Sequence, residues 1–401
     1  MKKYKLGDCL SMIKNGAIIK QAKGAKGYPI TRIETLSNNF FNRDRLGYAD
    51  IFDITPYKDY ILESGDLIMS HINSRQFLGR TVLYNKLKDE IIIHGMNVLR
   101  IKTCPELLDP IYAYYLFKTE YFRKNIDNIR KDAINQSSIS ISDINNIILE
   151  LPVISLQKST VSILSSIDRK IELNRSINHN LEAMAKQLYD YWFMQFDFPD
   201  ENGKPYKSSG GKMVWNKKLK REIPEGWRID AIGNILDKYP TTKRYETKEY
   251  LKEGKNPIVD QGDTYIVGFT NEDDNLLTRI PAVLFGDHST KVKLLDFVFA
   301  RGADGTQILY SNNPNVSQYY LYMVISSLQI PNPGYSRHFK YLKELPIIIP
   351  ESNIVNAFTE VISPLFKQRK ENIFSNITLI KQRNELLPLL MNGQASPQNC
   401  D

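Results

Sequence analysis

Polar side chains of the kinds that read nucleic-acid bases gather in short segments along this chain of 401 residues. SHINSRQFLGR, beginning at Ser70, packs His71, Asn73, Ser74, Arg75 and Gln76 behind the strand-like GDLIMS. Asn and Gln amides match the adjacent donor and acceptor of adenine, and Arg matches the two acceptors of guanine. NQSSIS adds Asn135, Gln136 and Ser137, closely preceded by Arg130 and Lys131. In IIKQAKGAKGYP, Lys20, Lys23 and Lys26 stand among small residues that let a backbone come near phosphate. A second set follows far along the chain. VDQGDT holds Asp260 and Gln261, LFGDHSTKVK holds Asp287, His288, Ser289 and Thr290, FARGADGTQ holds Arg301, Asp304 and Gln307, and GYSRHFK holds Ser336, Arg337 and His338. Carboxylates there can accept from cytosine's amino group or orient a neighbouring Arg. Each cluster also has a plainer reading as a surface loop or helix cap. Asp260, Asp287 and Asp304 would suit a metal-dependent nuclease, but they are dispersed and lack an acidic-x-Lys hairpin.

Such clusters need a frame, and the chain writes one twice. KLGDCL (Lys5 to Leu10) resembles AIGNIL (Ala231 to Leu236), and ELPV (Glu150 to Val153) resembles ELPI (Glu344 to Ile347). The order is globular block, Leu-Pro junction, long helix, two times over. Pro152 and Pro346 hold the residue before them extended, so each should mark a passage out of a strand or loop. After the first junction, Leu164, Ile167, Ile171, Asn174, Asn178, Leu181, Ala185, Leu188 and Trp192 alternate by three and four. After the second, Ile354, Phe358, Val361, Leu365, Gln368, Asn372, Ser375, Leu379, Gln382, Leu386 and Leu389 do the same, with Pro364 as a blemish. Both seams are polar at their middle, which suggests that they pair with each other, antiparallel. The alternative is that each helix packs on its own block.

The partition expected is a first globular domain at 1–150, a long helix at 151–198, a linker at 199–226, a second domain at 227–345, a distal helix at 346–393 and a tail at 394–401. The linker is crowded with Pro, Gly, Ser and Lys, and its Lys212, Lys217, Lys218, Lys220 and Arg221 either face solvent or face phosphate. A net charge of +8 and a pI near 9 make an acidic partner plausible. Cys9, Cys104 and Cys400 are too far apart for a thiolate cage, and no apolar run reaches the ~18 residues of a membrane span. No signal peptide is expected, and a cytoplasmic location fits. The sequence has no G-x-x-x-x-G-K-[ST], H-E-x-x-H or G-x-S-x-G, and no Asn- or Asp-Pro-Pro-aromatic motif. A binding protein is expected rather than a motor or a self-sufficient methylase.

The run LPVISLQKSTVSILSSIDRKIELNRSINHNLEAMAKQLYDYWF, with IPEGW after it, resembles the central conserved region of type I restriction-modification specificity subunits. The distal ELPIIIP, EVISPLF and LLPLLMNG resemble their C-terminal conserved region, and GDLIMSHIN, FGDHSTKVK and FARGADGT are similar to segments of their target-recognition domains. The resemblance covers the chain up to Gly393. It implies an α+β fold with two pseudo-symmetric target-recognition domains separated by an antiparallel pair of coiled-coil helices. Each domain would read one half of a bipartite, asymmetric site on double-stranded DNA. The helices would set the spacer and dock two methylation subunits, which carry S-adenosylmethionine and modify adenine. Restriction subunits using ATP and magnesium would join them, and this chain would bind no cofactor and no metal and catalyse nothing. The competing readings are a stand-alone DNA-binding protein that dimerises through its helices, a magnesium-dependent nuclease, and a coiled-coil adaptor for proteins.

Overall fold

The computed structural model describes residues 1–134, 136–237, 242–330 and 337–395. The chain divides into two compact units, Met1–Ile171 with Ile377–Asp401, and Glu172–Asn376.

In the first unit β1 (Lys2–Lys5) leads through one 3-10 turn into β2 (Leu10–Asn15), followed by β3 (Leu67–Ser70), β4 (Ile72–Asn73), β5 (Thr81–Leu83) and β6 (Val98–Thr103). After these come α1 (Pro110–Leu116), α2 (Glu120–Ile129), β7 (Lys131–Asp132), β8 (Ser137–Ser138), α3 (Ile141–Asn145), β9 (Ile148–Leu151) and α4 (Ile154–Tyr189). A four-stranded sheet runs β2-β6-β3-β5, a three-stranded one β4-β8-β7, and β1 pairs with β9. β3 reads LIMS and is buried at all four positions, the pattern of a strand covered on both faces. The main core gathers Leu67, Met69, Leu99 and Ile101 from the sheet, Tyr112 and Phe122 from the helices, and Leu164 from α4. Gln157, wholly buried in the first turns of α4, fastens that helix to the unit. Its side chain accepts from Asp109 N (3.0 Å) and donates to the Leu107 and Pro152 carbonyls (both 2.9 Å).

The second unit contains β10 (Met213–Asn216), β11 (Arg221–Pro224), β12 (Arg228–Ala231), β13 (Asn256–Val259), β14 (Gly268–Thr270), β15 (Ala282–Gly286), β16 (Val292–Leu295), β17 (Ala300–Arg301) and β18 (Thr306–Leu309). It continues with α5 (Gln318–Ser327), α6 (Phe339–Glu344), β19 (Pro346–Ile349) and α7 (Ser352–Met391). Two three-stranded sheets, β14-β13-β17 and β16-β15-β18, are joined by hairpin β10-β11 and pair β12-β19. An aromatic knot of Trp192, Phe193, Phe196, Trp227, Tyr320 and Phe358 centres the core. Residues 199–226, expected as a linker, are folded here: Phe198 stacks on Tyr206 and Trp227, and Ile223 and Pro224 are buried.

The duplication is real, but its register differs from the sequence reading. β1 and β9 set Lys2 opposite Leu151, and β12 and β19 set Arg228 opposite Ile349. Pro152, which ends β9, therefore corresponds to Pro350; Pro346 instead opens β19. The likeness of ELPV and ELPI is four residues out of structural register. KLGDCL and AIGNIL do correspond, and their glycines share a cause. A Cβ on Gly7 would stand 2.9 Å from the Asn145 Cβ, and one on Gly233 would stand 3.0 Å from the Lys343 Cβ. Each 3-10 turn thus lies against the short helix that precedes the exit strand.

At the offset fixed by the strands (349 − 151 = 198), Asn174 corresponds to Asn372 and Asn178 to Asn376. Within the second unit these four make crossed pairs. Asn174 Nδ2 donates to Asn376 Oδ1 (2.9 Å), and Asn372 Nδ2 donates to Asn178 Oδ1 (2.8 Å). Each pair is the counterpart of the other at that offset. Rising numbers on α4 meet falling numbers on α7, since Glu182 pairs with Arg369 and Trp192 packs on Phe358, so these segments are antiparallel. In the first unit Asp168 pairs with Arg383 (2.7 Å) and Leu164 shares a core with Leu386 and Leu390. Ile171, Leu188 and Phe358 lie in or against the cores, and Ile167, Leu181 and Leu379 are half-buried. Leu365 packs on the second core. Val361 does not join the seam: it is 46 % exposed, while neighbouring Ile362 is fully buried. The α7 seam runs Val355, Phe358, Ile362, Phe366, a 3.6-residue rhythm that a strict heptad reading missed. α7 continues through Pro364 without a break.

Asn372 is 7 % exposed, and removing it takes away the bonds it makes with half-buried Asn178 and with Gln368. Asn372→Ala is expected to cost ~1–3 kcal/mol in chemical unfolding. The double change Asn178→Leu with Asn372→Leu should recover part of that loss, because it replaces both members of the pair, one buried and one half-buried, with apolar side chains.

Candidate DNA-recognition surfaces

The first unit brings two of the sequence clusters together. β4 pairs with β8 so that Asn73 faces Ser137, and β7 pairs with β8 so that Asp132 also faces Ser137. The Ser137 hydroxyl donates to Asp132 (2.6 Å) and Arg130 donates to the same carboxylate (2.8 Å), which together hold it below the usual carboxylate range. Asn73 Oδ1 accepts from Ser74 N (2.8 Å) and its Nδ2 donates to Ser70 Oγ (3.1 Å), fixing the turn into Ser74, Arg75 and Gln76. Those three are exposed. Arg123 braces the turn from beneath, donating to the carbonyls of Arg75 (2.6 Å) and Leu78 (2.7 Å). Gln136 is exposed on the same small sheet, where Ile134 is fully exposed as well. Ser137 and His71 are buried, and burial lowers the His71 imidazole. Their polar atoms face the fold, so they shape this surface rather than line it. Lys20, Lys23 and Lys26 are exposed on a separate loop layer, whose own core is Ala17, Ile30 and Ile93. Asn135 lies outside the described residues.

In the second unit one side chain joins three of the predicted segments. Gln261 Oε1 accepts from His288 N (3.0 Å), and Gln261 Nε2 donates to the Asp304 carbonyl (2.7 Å). The Ser289 hydroxyl donates to the Gln261 carbonyl (2.7 Å). This packing leaves no room at Gly305, whose φ of +78° is left-handed and whose Cβ would meet His288 and Gln261 within 2.6 Å. Lys293, nearly buried on β16, pins the Gln261 loop by donating to the Asp260 and Thr264 carbonyls (both 2.7 Å). Burial pushes its ammonium down to about 8. Asp260 itself holds the turn by accepting from Gly262 N (2.8 Å).

Three residues expected to touch bases are spent inside the fold. Asp287 is 2 % exposed, and its carboxylate accepts from Phe339 N (2.8 Å) at the start of α6. His338 is buried with Nδ1 2.9 Å from the Asp287 carbonyl. Arg301 is buried, donates to the Thr306 carbonyl and is lowered by that burial. A polar residue at a strand end serves a buried turn as well as it serves a ligand, and composition does not separate the two. What faces solvent is His288, Asp304, Arg337 and Arg244, with Ser289, Thr290 and Gln307 partly exposed. Arg244 was not singled out from the sequence. It pairs with Asp304 at 2.7 Å, having reached it from a distant loop, which no local spacing signals. The bond from Gly305 N, then Arg244, Arg337 and His288, hold the Asp304 carboxyl low. Ser336 lies outside the described residues. Among the described residues no group of three His, Cys, Asp or Glu is placed to hold a metal, and no helix is long and apolar enough to cross a membrane.

Comparison with known proteins agrees with this architecture. Residues 1–183 match the family described as type I restriction modification DNA specificity domain. A protein of Methanocaldococcus jannaschii named as the type I restriction enzyme MjaX specificity subunit is 30 % identical over 81 % of this chain and 75 % of its own. The type I restriction enzyme HindI specificity subunit of Haemophilus influenzae is 26 % identical over 98 % of this chain and 99 % of its own. Among solved structures, the type I restriction-modification S subunit from M. genitalium shares the fold with a TM-score of 0.56 at 17 % identity, covering 97 % of this chain and 95 % of that one. The chain belongs to the family of type I restriction-modification specificity subunits.

Lys293 supplies a pH test of the second surface. Its ammonium titrates at about 8 in the folded chain against an ordinary 10.5, so the unfolded chain binds more protons between those values. Stability should therefore rise with pH across that window. Thermal midpoints from about pH 8 to 10 are expected to rise less steeply in Lys293→Met than in the wild type.

Proposed function

We propose that this chain is the non-catalytic DNA-reading subunit of a type I restriction-modification complex, with each unit reading one half of a bipartite site. The observation that carries the reading is a frame repeated down to its paired asparagines, bearing surface loops that differ among the described residues. A frame written twice suits two methylation subunits bound equivalently, while unlike loops suit an asymmetric target. On this reading α4 and α7, about 54 and 60 Å long at 1.5 Å per residue, set the unread spacer and give the methylation subunits a docking surface. Those subunits would bring S-adenosylmethionine to adenine, restriction subunits would bring ATP and magnesium, and the assembly would work in the cytoplasm.

The exposed residues divide the labour. Arg75, Gln76 and Gln136 are assigned to base edges in the first half-site, and Arg337, His288 and Gln307 to the second. Lys20, Lys23 and Lys26 are assigned to phosphates. The buried Asp287, Arg301 and His338 preorganise the second surface.

Methylation sequencing of cells carrying the assembled complex tests this directly. Arg75→Ala should relax the first half-site alone, with a loss of ~1–3 kcal/mol at one base pair, and Arg337→Ala should do the same to the second. Uniform loss over both half-sites would make these residues phosphate contacts.

A further inference from the structure

The stretch between Lys212 and Glu222, which sequence alone leaves as a basic linker, forms a stiff finger. β10 and β11 pair from Met213 opposite Pro224 to Asn216 opposite Arg221. The Asn216 side chain closes the turn by accepting from Lys218 N (3.0 Å) and Leu219 N (3.1 Å), and Lys220 sits at a φ of +51°. The base of the finger is fixed. Ile223 and Pro224 are buried, and Arg221 donates to the Met194 carbonyl (2.6 Å) while lying over the Phe196 ring at 4.5 Å. Lys212 is held by Glu225 at 2.6 Å.

What remains at the finger's end is unspent. Lys217, Lys218 and Lys220 are exposed, and none forms an ion pair among the described residues. Beside them Trp215 is 61 % exposed and Val214 46 % exposed, with Glu222 the one acidic residue of the hairpin. Three like charges on one turn repel one another and have no ion-pair partner among the described residues, Lys218 reaching only far enough toward Asp230 to help lower its carboxyl, so the occupant they fit is polyanionic. The indole supplies an N–H donor and a flat apolar face that suit a phosphate and the sugar next to it.

We propose that the β10–β11 hairpin is a sequence-independent contact to the DNA backbone, with Lys217, Lys218 and Lys220 on phosphates and Trp215 against the sugar-phosphate chain. This rests on the reading of the chain as a DNA-binding subunit and adds a contact outside the two recognition surfaces. A backbone contact of this kind fixes register and strengthens binding without choosing bases.

The test is fluorescence-anisotropy titration of the full chain with two duplexes, one carrying the methylated motif and one scrambled, from about 50 to 200 mM salt. The triple variant Lys217→Gln, Lys218→Gln, Lys220→Gln should weaken binding to both duplexes by the same factor. The slope of log affinity against log salt should become shallower by about 2–3, close to 0.9 for each phosphate that the variant leaves unneutralised. Trp215→Ala should weaken both equally while leaving the slope unchanged. Wild-type affinities and slopes in the triple variant would overturn the proposal, as would unequal losses on the two duplexes. Loss of methylation-subunit co-purification with unchanged DNA affinity would also overturn it and make the finger a protein interface. A wild-type chain with no preference for its motif would instead count against the DNA-reading function itself.

Discussion

Two crossed asparagine pairs, each with one buried and one half-buried member, fix the register on which this structure depends. An Asn in an apolar seam costs free energy unless both ends of its amide are bonded, and the residual bond is worth only about 1 kcal/mol. Its larger effect is on the alternatives. Sliding α7 by one turn so that Asn178 met Asn376 would set Asn174 against Ile380, which cannot satisfy it, at ~1–3 kcal/mol for the stranded group. Leucines at these places would bind more strongly and in several registers. Because Asn174 corresponds to Asn372 and Asn178 to Asn376, the crossed pairs also mark where the two halves of the chain are equivalent.

Away from that crossing the halves keep a common plan and fill it differently. Each begins with a strand pairing its own exit strand, a 3-10 turn holding a glycine, and a short helix packed against it. Each attaches its long helix to the start of an earlier helix. The first uses buried Gln157 below Asp109, and the second uses Thr359, whose hydroxyl donates to Ser317 (2.8 Å). The surfaces above this plan share nothing comparable. One is a β-ladder of very short strands braced by Arg123, and the other is a set of glycine-rich turns tied by Gln261 and pinned by Lys293. The repeated frame and the unlike surfaces thus rest on different residues, and none of the loop residues named above bonds to the paired asparagines.

Much of the frame was legible because its causes are local. The spacing of Leu164, Ile171, Asn174 and Asn178 marks a helix face, and polar residues in mid-seam mark a pairing constraint. The junction was misread for an equally physical reason: Leu-Pro ends one strand at Pro152 and begins another at Pro346, and the dipeptide does not say which. Val361 was placed in the seam because a heptad count drifts from the true helical period over several turns. The polar clusters were found as segments, but which of their side chains face solvent depends on partners far away in sequence. Asp287 is taken by the amide of Phe339, and Arg244 meets Asp304 across many intervening residues. The hairpin at Met213 to Pro224 is masked by the Gly and Ser just before it and by its own lysines, which outweigh its short apolar strands.

One chain that carries two unlike surfaces on a repeated frame is expected to read a target of two unlike halves with a set gap between them. Single-molecule methylation sequencing of DNA modified by the assembled complex measures this most directly. It should return a motif of two unequal halves separated by an unread gap of one constant length. A contiguous motif, a palindrome, or a gap that varies from site to site would contradict it.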